Sequence, residues 1–448
     1  AALLGRGILP KPSSVEPLSV PARVVNFPAE KALHPPKAAA RMASVPEIAV
    51  PPLDTARALE EDAAREAFER GTLRLGIAGD LPEPLTRADL AASGLRDKAT
   101  ATTAIALRGE GALGLRLHFV LDARNAASTL RVYDPAAPAD SESPAFGDTE
   151  WWSPTVWGDT AIVECDDAIA GTFTIDRVLQ VYRKPELVAK AAGSCELDVT
   201  CYPAWQEESL GVAGIGNMND KDFLFCTASL LADANETSKV PFMLTANHCV
   251  SSSSQANTLE VYWLYQTTTC GARRPDISAT PRTTGGAVFL AGNNNLFGSD
   301  FALLRLKQNP PSGLTWLGWE TVAPEVGADV TCIHHPNGDY KRISFGGIID
   351  DPAIDRLRPA ERYHEVSWRA GVTEPGSSGS PLFLSATHRI IGQLYGGDSA
   401  CSNALAPDYY GRFDVSYLGM STYLGVLPNP FDLNGDHKID SADMQLAV

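Results

Sequence analysis

The sequence predicts an all-β protein with two packed β-barrels in its second half, preceded by a β-sandwich-like domain. Two observations carry this. From Thr72 onward, short runs of alternating apolar and polar residues are separated by Gly, Asn and Ser turns, and helical periodicity is scarce. From residue 191 to about 427 the strands stay short and hold seven of the eight cysteines, the pattern of two packed six-stranded barrels.

Taken in order, residues 1–55 are rich in Pro, Ala and Val and read as an extended arm. Residues 56–70 read as a charged helix, with Leu59, Ala63 and Phe68 on one side. Gly114–Leu121, Thr129–Tyr133 and Thr172–Ile175 alternate as strands and suggest a sandwich of about 120 residues. The resulting division is an arm over 1–55, a sandwich-bearing pro-region over 56–190, a barrel domain over 191–427 and a short module over 428–448. Trp151, Trp152 and Trp157 form an aromatic cluster. Packing within the sandwich explains it more simply than a sugar-binding platform.

With 448 residues, two or three domains are expected. A net charge of -17 argues against nucleic-acid binding. No run of roughly 18 apolar residues is present, so no membrane span is expected. The eight cysteines are mostly spaced unlike zinc ligands and favour disulfides in an oxidising compartment. A secreted protein is expected, with any export signal removed ahead of Ala1.

The chemistry is concentrated in three places. His248 lies in Leu-Thr-Ala-Asn-His-Cys, Asp300 in Gly-Ser-Asp-Phe-Ala-Leu-Leu, and Ser378 in Gly-Ser-Ser-Gly-Ser-Pro. A serine becomes a nucleophile when a base takes its proton and an acid orients that base. The order His, Asp, Ser is that of the chymotrypsin-type arrangement. Ser378 would attack a peptide carbonyl, with His248 as base and Asp300 as its orienting acid. The amides of Gly376 and Ser378 would form the oxyanion hole.

The stretch from Gly193 to about Leu427 resembles lysyl endopeptidases, which are bacterial trypsin-like serine proteases specific for lysine. The matching segments are Gly-Ser-Cys195 with Asp-Val-Thr-Cys201, Leu-Thr-Ala-Asn-His248-Cys, Val-Tyr-Trp-Leu-Tyr265 and Ser-Asp300-Phe-Ala-Leu-Leu. Further matches are Ile333-His-His-Pro336, Gly371 through Pro381, Gly392-Gln-Leu and Asp408-Tyr-Tyr-Gly-Arg412. The resemblance implies a chymotrypsin-like double β-barrel that needs no cofactor for catalysis and cleaves after Lys, with Lys/Arg cleavage as the wider option. It also implies the disulfides Cys195–Cys401, Cys201–Cys270 and Cys226–Cys249.

Two positions depart from ordinary trypsins. Ser377 replaces the Asp before the nucleophile, so the usual ion pair with a freed N-terminus is unavailable. Val372 stands where trypsins carry their specificity acid. The resemblance moves that role to Asp408, at the base of the pocket for the residue before the cut. Tyr395 replaces a family histidine beside the active site and, with Gly396, is expected to line the substrate channel.

The family also implies a mature N-terminus shortly before its first cysteine, so Lys190–Ala191 is an expected self-processing site. Cys165 and Cys332 match no family cysteine. They either pair with each other or are separate buried thiols.

At the C-terminus, Asp432, Asn434, Asp436, Asp440 and Asp443, with the Lys438 carbonyl, take the spacing of an EF-hand-type loop. They resemble half of a dockerin repeat, which implies Ca²⁺ and a cohesin-type partner. His437 occupies the usual Gly position, and the second repeat is missing from the sequence. The competing functional reading is a non-catalytic extracellular adhesion or assembly protein built on a degenerate protease barrel. All three catalytic residue types being present argues against it.

Overall fold

The computed structural model describes residues 18–27, 45–68, 71–98, 101–122, 130–138, 141–144, 148–167, 172–184, 192–349 and 359–425. The expected processing pair Lys190 and Ala191, and the calcium-loop positions Asp432 to Asp443, lie outside these residues. The charged helix is present as Thr55–Phe68, and another long helix, Phe413–Leu424, follows the strand Asp408–Arg412. The rest is mostly strand.

The second barrel closes. Asp329–His334 pairs with Arg342–Ile349, which pairs with Tyr363–Ala370, and that strand pairs with Asp408–Arg412. Arg389–Gly397 and Pro381–Leu384 complete the ring back to Asp329–His334. Its interior is apolar, with Val330, Val366, Trp368, Leu382 and Tyr410 in one core cluster. Burial of such alternating inward residues is what stabilises a small barrel.

The first barrel departs from expectation. Its strands run Ala287–Asn293, Phe301–Leu306, Phe242–Ala246, Asp222–Leu231, Val212–Asn219, Glu260–Tyr262 and Arg282–Thr283. No pairing between the outermost two is present among the described residues, so this is a half-barrel and not a closed one. Gly285 and Gly286, both with φ of 79°, lie between those two strands and turn the chain away from a direct hairpin.

N-terminal to this, two sheets pack face to face. One contains Thr102–Arg108, Thr160–Asp166 and Leu130–Tyr133; the other contains Gly114–Leu121, Phe173–Val181 and Leu73–Thr86. Ile105, Leu107, Leu117, Phe119, Val163 and Ile175 fill the space between them. The tryptophans pack within this unit and against the half-barrel. Trp151 lies 5.2 Å from Phe119, Trp152 lies under Arg177 and 4.9 Å from His118, and Trp157 lies 6.3 Å from Tyr262.

The sandwich is not separate from the half-barrel. The long strand Leu73–Thr86 also pairs with Asp222–Phe225, which merges one sandwich sheet with the half-barrel. The N-terminal arm also contributes: Ser19–Val20 pairs with Trp319–Glu320, and Arg23–Val25 pairs with Leu314–Trp316.

The three disulfides are Cys195–Cys401, Cys201–Cys270 and Cys226–Cys249. Cys165 and Cys332 do not pair. Both are buried thiols, one in the sandwich core and the other in the closed barrel.

Candidate active site

His248 and Asp300 meet at the mouth of the half-barrel. His248 follows the Phe242–Ala246 strand, and Asp300 immediately precedes its partner Phe301–Leu306. Asp300 Oδ2 lies 2.6 Å from His248 Nδ1, while Oδ1 accepts the His248 backbone N–H at 3.1 Å. Both carboxylate oxygens are therefore used to fix one imidazole. Asp300 is 2% exposed and has a φ of 58°, a left-handed conformation uncommon outside glycine. The neighbouring residue Ser299 holds it in place: its carbonyl accepts from Gln393 Nε2 at 2.8 Å, and its hydroxyl bonds Ser416.

Ser378 sits between the two barrels. Its carbonyl accepts the Thr227 N–H at 2.9 Å and lies 3.7 Å from Cys249 Sγ, which is bonded to Cys226. The flanking glycines are required by geometry. Gly379 has a φ of 80°, and a side chain there would run into Thr227 and Thr245. Gly376 has a φ of 91° and packs against the His335 carbonyl. His248 Nε2 is buried and makes no hydrogen bond, so the contact through which it would take the Ser378 proton is open. Such bonds are often loose until substrate is bound.

Next to Ser378 lies a cavity of about 260 Å³ lined by Thr373, Glu374, Gly396, Gly397, Ser399 and others. Asp408 stands one layer behind this wall. It is fully buried, and its carboxylate accepts from Trp368 Nε1 at 2.6 Å and from the Thr373 and Ser399 hydroxyls at 2.7 Å each. Burial pushes its pKa up, against the pull of these hydrogen bonds. The site thus presents a partly compensated buried acid through two hydroxyls, an arrangement suited to a cation entering the cavity. Val372, by contrast, is an apolar core residue. Tyr395 stands edge-on to His248 at 5.7 Å and accepts a hydrogen bond from Asn295, while Gly396 lines the cavity.

Three participants, His334, Glu374 and Gly71, were given no role from the sequence, whereas Ser377 was singled out there. Ser377 Oγ bonds His334 Nδ1 at 2.8 Å and accepts from the Glu374 N–H at 3.2 Å. This pairing involves the residue immediately before Ser378. Burial, aided by Arg342, lowers the His334 pKa to about 3, so the ring is neutral. The Glu374 carboxylate, pushed up by burial, accepts from Gly193 N–H and from Asn337 Nδ2. The third is Gly71, whose carbonyl accepts the Gly376 N–H at 3.0 Å. His334 lies within a matched segment, so a polar residue behind the serine was findable; nothing in the sequence signals Gly71. Among the described residues, no group of three or more His, Cys, Asp or Glu is placed to hold a metal ion.

Residues 189–411 match the family model for the C-terminal domain of lysyl endopeptidase. A lysyl endopeptidase from Pseudomonas aeruginosa is 31% identical over 302 residues, covering 61% of this chain and 63% of that protein. Among solved structures, the Rv3671c protease from M. tuberculosis in its active form aligns over 50% of this chain and 85% of its own, at 18% identity and a TM-score of 0.33. The serine endoprotease from Yersinia pestis aligns over 49% and 64%, at 15% identity and a TM-score of 0.33. Over this stretch the chain is similar to the lysyl endopeptidases. The chain spans about 63% of the length of the curated relative it matches. Three disulfides and this similarity fit an extracytoplasmic location.

Proposed function

We propose that the chain is the proenzyme of a secreted serine endopeptidase that cleaves on the carboxyl side of lysine. Ser378 is the nucleophile, His248 the general base and Asp300 its orienting acid. Gly376 and Ser378 supply the oxyanion-hole amides, and Asp408 attracts the lysine ammonium through Thr373 and Ser399. The observation that carries the reading is the two-point grip of Asp300 on His248, with a buried acid behind the cavity beside Ser378. Residues 1–190 are the pro-region, separated by cleavage of Lys190–Ala191 by the enzyme itself. At the C-terminus, the all-oxygen set from Asp432 to Asp443 suits Ca²⁺, and the module is assigned to a cohesin-type partner.

The test uses paired peptides with Lys, Arg or Glu before the cut, given to the protein and to Ser378→Ala. Lysine cleavage that disappears in the variant is the expected result. Equal rates on Lys and Arg would remove the narrow specificity. No cleavage by the chain, either whole or freed of residues 1–190, would overturn the protease reading.

A further inference from the structure

We infer that the N-terminal region holds the protease latent by laying Gly71–Leu73 through the catalytic cleft as a substrate would lie, with Gly71 at the position cut by Ser378. The inference rests on the protease reading above. Three independent contacts place the segment. The Gly71 carbonyl accepts the Gly376 N–H at 3.0 Å, so it occupies the donor reserved for an oxyanion. A Cβ built on Gly71 would lie 3.9 Å from His248 Cδ2 and Nε2, which sets this residue against the general base. Two residues on, Leu73 joins an antiparallel ladder with Phe225, the neighbour of Cys226, whose disulfide partner Cys249 follows His248. One extended segment thus touches the oxyanion donor, the base and a strand edge, in the manner of a peptide bound for cleavage.

In this register the bond facing Ser378 is Gly71–Thr72. Attack by Ser378 Oγ on the Gly71 carbonyl carbon would form the acyl-enzyme and break that bond. His248 would carry the serine proton to the departing Thr72 nitrogen, and water would then release the acyl group. The segment resists because glycine offers nothing to the cavity. Gly71 itself lines that 260 Å³ space and leaves it unfilled, so the Asp408 subsite contributes no binding energy to the transition state. Sequence-distant as it is, the strand Leu73–Thr86 is anchored in the sandwich by Phe173–Val181, which keeps the plug in register.

The test converts the plug into a substrate. Full-length Gly71→Lys is expected to cut itself between residues 71 and 72, giving Thr72 as a new N-terminus at a rate independent of protein concentration. Gly71→Lys combined with Ser378→Ala stays intact at that bond. Thr72→Lys, one position out of register, is not cut after residue 72. A Gly71→Lys chain that stays whole while cleaving lysine peptides would overturn the inference and leave the protease reading standing. So would a cut after Lys in Thr72→Lys, or a wild-type cut between Arg70 and Gly71. A second readout needs no variant. A fluorophosphonate is expected to label Ser378 at least tenfold more slowly in the whole chain than after removal of residues 1–190, and equal rates would overturn the plug. Loss of both labelling and lysine cleavage in every form would instead remove the protease reading.

Discussion

In the proposed function, Asp408 is the residue on which substrate choice turns. Its carboxylate is fully buried and held by Trp368, Thr373 and Ser399, and burial raises its pKa. A lysine ammonium in the cavity would favour the ionised form, and Asn would remove that attraction while keeping the shape. A hydrogen bond to a charged group contributes roughly 1.5–3 kcal/mol. Asp408→Asn should therefore lower kcat/KM for lysine peptides by about 10- to 150-fold and narrow the gap to methionine peptides, measured on enzyme freed of residues 1–190. An unchanged Lys-to-Met ratio would place the specificity elsewhere. Residues of this kind were legible because they sit in short contiguous motifs: His248, Asp300, Ser378 and Asp408 each lie within a few residues of a recognisable pattern. Gly71 was not, and neither were the partners of His334 and Glu374, although those two residues lie in matched segments. Their roles come from contacts between segments far apart in the chain, which local pattern does not encode.

Among the elements, the Asp222–Leu231 strand has the most to organise. One edge pairs with Val212–Asn219 throughout; the other is divided between Leu73–Ile77 at one end and Phe242–Leu244 at the other. Cys226, midway along it, bonds Cys249 beside His248. The crosslink spans 23 residues, which corresponds to about 3 kcal/mol in the chain-entropy account. Replacing both cysteines by Ser should remove that much stability from the freed protease, a fall of roughly 6–12 °C in Tm by calorimetry. A change below about 1 kcal/mol would mean that packing alone holds His248 in place. The three disulfide pairings were legible only through family resemblance, since eight cysteines allow 105 connectivities. Strand alternation was legible directly. Barrel closure was not, because it depends on whether the end strands meet, and Gly285 and Gly286 turn the chain away there.

At the scale of the molecule, the sandwich and the protease form one body joined by a shared sheet and a shared core. Leu73, Leu75, Leu179 and Val181 from the N-terminal side pack with Phe223, Phe225 and Tyr262 from the protease. Arg116, 1% exposed, donates to the carbonyls of Ser153 and Thr258 and lies 3.6 Å from Glu260. Glu260 in turn accepts from the amide and hydroxyl of Thr155. All three disulfides lie between residues 195 and 401, and Cys165 is a free thiol. A single cut at Lys190–Ala191 would thus leave no covalent link but would leave the whole interface. The cut protein should elute as one species on native size-exclusion chromatography and separate into two bands on denaturing gels, with or without reductant. Arg116→Ala removes one of the two cations beside buried Glu260, Arg282 being the other at 3.6 Å, together with the donor to two carbonyls, a loss of about 3 kcal/mol. It should weaken association of the cut halves by at least roughly a hundredfold, read as the dilution at which they part. Halves that separate in the unmodified protein at micromolar concentration would show that the interface does not outlast the bond. Latency would then end with the cut itself, and no later removal of the N-terminal region would be needed for Ser378 to meet substrate.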